Sequence, residues 1–284
     1  MRSYIHKNAV IAAILAVSGG AASSFGAVTI TPFAFTSNVS TDVPNTAQGG
    51  DVLLNSVTVN GNTIPTSGLQ TVNGATIILD NGIDTTHGGN NLASGRGIGA
   101  STDPLAPEGP ATVTPTSADL EASQANFNLT SITVTRESPG VAVTAYTFAQ
   151  PTNTFFYWER GIDSDATIFA LDSNQDVIGA IKIYRQDERP TGIFISTENG
   201  SFNITDQQLG SIGFQTSQPI SELEVSSTQY VSGGAASSAD HGDDGPDYKI
   251  LATASTTAAV PEPASATALA ALSLLALGRR RVRN

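Results

Sequence analysis

The sequence predicts an all-β body, a single jelly-roll-like β-sandwich over residues 28–259, set between two hydrophobic terminal segments. Three observations predict it. Apolar and polar residues alternate at period two in about twelve short segments rich in Val, Ile, Thr and Phe. Turn dipeptides such as Asn60-Gly61 and Asn81-Gly82 separate such segments. Helical periodicity is nearly absent, and no fixed-period repeat points to a solenoid or propeller.

Taken in order, residues 28–35, 52–59 and 75–79 are predicted strands. Residues 81–116 then lose the alternation; Gly, Asn, Ser and Thr dominate and Pro104, Pro107 and Pro110 fall close together, which predicts a long surface loop. Residues 117–124 are expected to form one short helix with Thr116 or Ser117 as N-cap. The strand signal then strengthens. Residues 128–136 and 141–148 flank a Ser138-Pro139-Gly140 turn, and residues 155–158 form an aromatic strand with the only tryptophan, Trp158. Residues 166–171 and 177–184 read as a hairpin around the polar loop 172–176, followed by strands at 192–196, 211–216, 220–226 and 248–252. A single helical turn is expected at 206–209, capped by Thr205 and stopped by Gly210.

Composition narrows the chemistry. With no cysteine, the chain has no disulfide, no thiolate metal site and no Cys nucleophile. Between the terminal segments seven Lys/Arg stand against 24 Asp/Glu, a net of −17. Such a surface argues against nucleic acid or anionic lipid as partner and favours solubility and divalent cations.

Both ends carry targeting signals. In residues 1–27, Arg2 and Lys7 precede an apolar stretch too short to span a membrane, then small residues suited to cleavage at Ala22 or Gly26, the pattern of a secretory signal peptide. Residues 260–284 begin Val260-Pro261-Glu262-Pro263, where two prolines end the folded body because they lack an N–H and fix φ. An uncharged, Ala- and Leu-rich run of 14 residues follows, against the ~20 that span comfortably. Arg279, Arg280, Arg281 and Arg283 close it, and basic flanks stay cytoplasmic. A marginal span with a basic stop suits a temporary hold in the inner membrane. Pro-Glu-Pro, hydrophobic helix and Arg cluster in this order resemble the PEP-CTERM sorting signal of Gram-negative bacteria. The resemblance implies that exosortase, a membrane enzyme, recognises the signal, cleaves near Pro-Glu-Pro and passes the body to the cell surface or extracellular matrix.

Candidate binding chemistry is concentrated in three acidic stretches. Glu159, Asp163 and Asp165 follow the aromatic strand and could ligate Ca²⁺, a hard cation that takes oxygen ligands; alternatively Arg160 pairs with Asp163 or Asp165 and braces the turn. The segment 159–165 also resembles the E-R-G-x-x-S-D segment of a group of exosortase-dependent surface proteins, which implies location and fold more than chemistry. Asp172, Asn174 and Asp176 have the spacing that opens an EF-hand, but Val177 and Ile183 occupy its glycine and glutamate positions, so a solvated hairpin loop is expected. In the run 240–247, Asp243, Asp244 and Asp247 are the leading Ca²⁺ candidates, with a mobile acidic loop as the alternative. Tyr157 and Trp158 could stack on a sugar beside such a loop. For catalysis there is no Gly-x-Ser-x-Gly elbow and no His-Glu-x-x-His motif, and the body's two histidines, His87 and His241, lie in Gly-rich stretches. The expected function is therefore a non-enzymatic exported protein that contributes to exopolysaccharide, biofilm or envelope structure. A Ca²⁺-supported carbohydrate-binding module and a secreted hydrolase using Glu159 are the alternatives.

Overall fold

The structure is a computed structural model, and it describes residues 28–41, 51–80, 98–100, 115–135, 142–199, 202–227 and 245–254. The expected signal peptide, most of the 81–116 loop, the two turns at 81–82 and 138–140, and the whole segment 260–284 lie outside the described residues. The strands are β1 Ile30–Phe33, β2 Thr36–Thr41, β3 Val52–Val59, β4 Asn62–Pro65, β5 Leu69–Gln70, β6 Val72–Asp80, β7 Ile98–Ala100, β8 Thr133–Thr135, β9 Ala142–Arg160, β10 Ala166–Leu171, β11 Val177–Ile183, β12 Arg189–Asn199, β13 Phe202–Ser226 and β14 Tyr248–Thr253. One helix, α1 (Ser117–Gln124), accompanies them. Among the described residues no helix is long and apolar enough to cross a membrane.

The all-β, antiparallel class is as expected, but the two sheets are unequal. One runs β11-β10-β13-β9-β14-β8-β7, with β1 and β12 also on β13, β6 on β9 and β5 on β14; the other is β2-β3-β4. The pair β9–β13 is the axis of the molecule. Each strand absorbs two segments that the alternation had separated, because the chain bends without leaving the ladder. Pro151 in β9 and Pro219 in β13 sit where the register between Gln215, Ile220 and Glu222 shifts, and a proline supplies no ladder N–H. The bend is sharp. Phe148 and Phe155 would stand ~23 Å apart on a straight strand, yet their ring centroids are 5.5 Å apart.

Bending closes the large sheet on one apolar interior, where Tyr146, Phe148, Phe155, Tyr157, Ile168, Phe214, Leu223, Tyr248 and Ile250 pack together. The opposite face of β9 points Phe156 and Trp158 at Phe35, Val52, Leu54 and Val57 of the small sheet and its approach. The predicted opening strand, 28–35, is shortened to β1, which pairs with β13, and after Ala34-Phe35 the chain crosses to β2 in the other sheet.

Five other local expectations meet the structure. The Asn60-Gly61 turn has φ of 49° and 81°, the left-handed pair of a tight hairpin, as predicted. α1 has the predicted bounds, and Thr116 and Asp119 form a reciprocal capping box. The strand predicted at 128–136 shrinks to β8, because the Asn128 side chain accepts from Thr130 N–H (3.1 Å) and from Val52 N–H (3.3 Å) and turns the chain instead. The helical turn predicted at 206–209 is wrong. That segment is β13, with Gln207 and Gln208 paired to Ile195 and Phe194, and Leu209 paired to Arg160 and buried. Strand partners on both sides and a buried leucine outweigh one capped turn. The loop predicted at 81–116 also contains β7, recruited by β8.

Candidate functional site

The end of β9 places residues alternately on its two faces. Trp158 and Arg160 face the small sheet; Tyr157 and Glu159 face the closed interior. Arg160 forms a buried ion pair with Asp247, the residue just before β14. Asp247 also accepts from Thr135 N–H at 3.1 Å. This corrects the expected brace, in which Arg160 paired with Asp163 or Asp165. Asp165 instead pairs with Lys182 (3.1 Å) and accepts from Arg185 N–H (3.1 Å). Asp247 is therefore committed to a structural pair, while the other two proposed ligands of its run, Asp243 and Asp244, lie outside the described residues.

Glu159 is fully buried, and its Oε2 accepts from Ile162 N–H at 2.6 Å. That bond supports a tight turn in which Gly161 and Ile162 both have positive φ, 100° and 58°. A β-branched residue rarely adopts such a φ, so the turn is strained and held from outside. A Cβ on Gly161 would stand 2.8 Å from Asp163 Oδ2, so the glycine lets the Asp163 carboxylate fold over the turn.

A second carboxylate meets Glu159 there. Glu188 follows a short turn, Arg185–Asp187, and precedes β12; it is 5% exposed. Gly210 of β13 lies opposite Glu159 in the ladder, and a Cβ on Gly210 would stand 2.3 Å from Glu188 Oε2. The missing side chain is what admits the Glu188 carboxyl beside Glu159. Neither Glu188 oxygen, nor Glu159 Oε1, nor the Tyr157 hydroxyl has a hydrogen-bond partner. Burial pushes the Glu159 carboxyl well above the usual range, with Glu188, Asp163 and Asp247 adding to it. Burial does the same to Glu188, with Asp163, Asp165 and Asp187 adding to it, and raises the Tyr157 phenol, with Glu188 and then Glu159 contributing.

The aromatic platform expected at Tyr157 and Trp158 is corrected. Both rings are fully buried. Trp158 donates from Nε1 to Ser37 Oγ (2.9 Å) and meets Phe35 edge-on at 5.1 Å, while Tyr157 stacks on Tyr248 at 5.6 Å. Neither presents a face to a sugar. The hairpin loop at 172–176 behaves as expected: Asp172 Oδ1 accepts from Asn174 N–H (2.8 Å) and Asp176 N–H (3.0 Å), which lowers the Asp172 pKa. Among the described residues no three acidic or histidine side chains gather around one metal position.

Sequence reasoning missed Glu188. Its signal was indirect: a glycine inside a strand, Gly210, marks a place where something approaches the backbone closely. Comparison with curated proteins gives no match, and neither does comparison with solved structures. A family model, the PEP-CTERM protein-sorting motif, matches residues 259–283, so this chain carries that motif, and the motif implies export and exosortase-dependent sorting to the cell surface.

Proposed function

We propose that this is a non-enzymatic exported protein, released by exosortase from a transient hold in the inner membrane, whose β body contributes to exopolysaccharide, biofilm or envelope structure. The sorting motif at residues 259–283 carries this reading. Three physical features support it. A body without cysteine folds the same way in reducing and oxidising compartments. Its acidic composition favours solubility outside the cell. Trp158 and Glu159, the residues that a carbohydrate-binding or hydrolytic alternative would use first, are closed inside the fold rather than open to a polymer.

The test is replacement of Pro261, Glu262 and Pro263 by alanine, followed by fractionation. Uncleaved protein should accumulate in the inner membrane. A variant that reaches the surface at mature size would refute the processing role of the motif.

A further inference from the structure

The corner formed by Glu159, Glu188 and Tyr157 holds four buried oxygens without partners: three from carboxyl groups and one phenolic. A buried carboxylate normally accepts several hydrogen bonds or faces a cation, because leaving it bare costs several kcal/mol. This corner has a single such bond, from Ile162 N–H to Glu159 Oε2, although the chain is shaped to build it. Gly210 removes a side chain to admit Glu188, and Ile162 holds a strained φ to donate to Glu159. The nearest cation on this strand, Arg160, points to the other face and is paired with Asp247.

We infer that Glu159, Glu188 and the Tyr157 hydroxyl form a buried site for a hard divalent cation, Ca²⁺ or Mg²⁺. The donor set is all oxygen, which suits both ions and disfavours softer metals. Two carboxylates balance the ion's two charges. Four protein oxygens leave at least two of the usual six to eight Ca²⁺ positions to water, which places affinity in the range of extracellular modules, about 10⁻⁴–10⁻³ M. The site differs from the carboxylate groupings legible along the chain: Asp165 and Asp247 are spent on Lys182 and Arg160.

The experiment uses the full chain, purified in mild detergent and stripped with EDTA, with Ca²⁺ and Mg²⁺ titrated separately up to ~10 mM, well above the expected Kd range. At least one ion should raise the melting temperature saturably, by ~5 °C or more. Glu159→Gln and Glu188→Gln should each weaken that response at least tenfold, while Asp243→Asn/Asp244→Asn leaves it intact. A readout independent of these variants is Tb³⁺ luminescence excited through the tyrosines: wild type should sensitise the ion, and Tyr157→Phe should lower the emission. Absence of both a melting shift and sensitised Tb³⁺ overturns the site. So does an ion response that survives the Glu159→Gln/Glu188→Gln double substitution. A wild type that ignores both ions but loses stability through neutral pH, with Glu188→Gln removing that loss, also overturns it; the two carboxyls then share a proton.

Discussion

Among the described residues, two of the corners that bury ionisable groups solve the problem in opposite ways. Lys249 of β14 is fully buried, and its ammonium donates to Ser123 O (2.6 Å), Asn126 Oδ1 (2.9 Å) and Ser131 O (3.1 Å). Every proton has an acceptor, and the first is a carbonyl of α1's last turn, where a cation is favoured. Next to it, Gln124 accepts from Ile250 N–H and donates to Tyr248 O, both at 2.9 Å, filling ladder positions on β14. Burial still pushes the Lys249 ammonium well below its usual pKa, and those three acceptors are what oppose the loss of its proton. At the Glu159–Glu188 corner two carboxyl groups are buried together and three of their oxygens have no hydrogen-bond partner. A fully satisfied buried charge is architecture: it ties α1 to the sheet. The unsatisfied pair is kept in place by a strained turn and a strand glycine.

Breaking the satisfied corner should have the largest effect. Lys249→Met takes one donor each from Ser123 O, Asn126 Oδ1 and Ser131 O, of which the first two keep Ser131 Oγ and Asn128 N–H, and should destabilise by about 3–5 kcal/mol in urea unfolding. A change below 1 kcal/mol would mean that the acceptors find water and that Lys249 ties nothing.

Glu224 offers a buried carboxyl away from both corners, and its effect should come next. It is 3% exposed, and burial, helped by Glu222, raises its pKa to about 7. Its folded pKa lies above the unfolded value, so its contribution is fully present below about pH 4.5 and is lost as pH rises through 7. Melting curves from pH 5 to 8 should show about 2–3 kcal/mol of lost stability that Glu224→Gln abolishes. A flat wild-type profile, or a slope that the variant keeps, would assign the pH dependence elsewhere.

Gly210→Ala sharpens the comparison from the acidic side. The new Cβ would meet Glu188 Oε2 and press Glu188 Cβ (3.1 Å) and Ile162 Cγ1 (3.0 Å), so the carboxyl must move. About 1–2 kcal/mol of destabilisation is expected, together with loss of any divalent-ion response; an unchanged ion titration would show that Glu188 does not need its place over Gly210. The smallest effect belongs to the cap that starts α1. Thr116→Ala removes the hydroxyl accepting from Asp119 N–H at 3.3 Å and should cost about 1 kcal/mol, with faster amide exchange in the helix and little change at Glu159.

Much of this was legible locally. The α1 bounds follow from Thr116 and Asp119, the hairpin turn from Asn60-Gly61, β3 from its run of β-formers before that turn, and β10 from the polar loop 172–176 that closes its hairpin, because each depends on residues within a few positions of one another. The misplaced helical turn at 206–209 shows the limit. Thr205 and Gly210 look locally like a cap and a stop, yet both lie within β13, and Gly210 serves Glu188, a residue 22 positions earlier in the chain.

By itself the sequence determined the all-β class, the acidic and cysteine-free chemistry, and the sorting motif, which is a linear order of residues within 259–283. Tertiary structure alone decided that β9 bends, that Trp158 and Tyr157 face inward, that Arg160 finds Asp247 rather than Asp163, and that Glu188 meets Glu159. The physical reason is range. Caps, turns and strand alternation are set by neighbours along the chain, whereas burial and charge pairing are set by which strands share a ladder. Nothing in a strand's own residues names its partner.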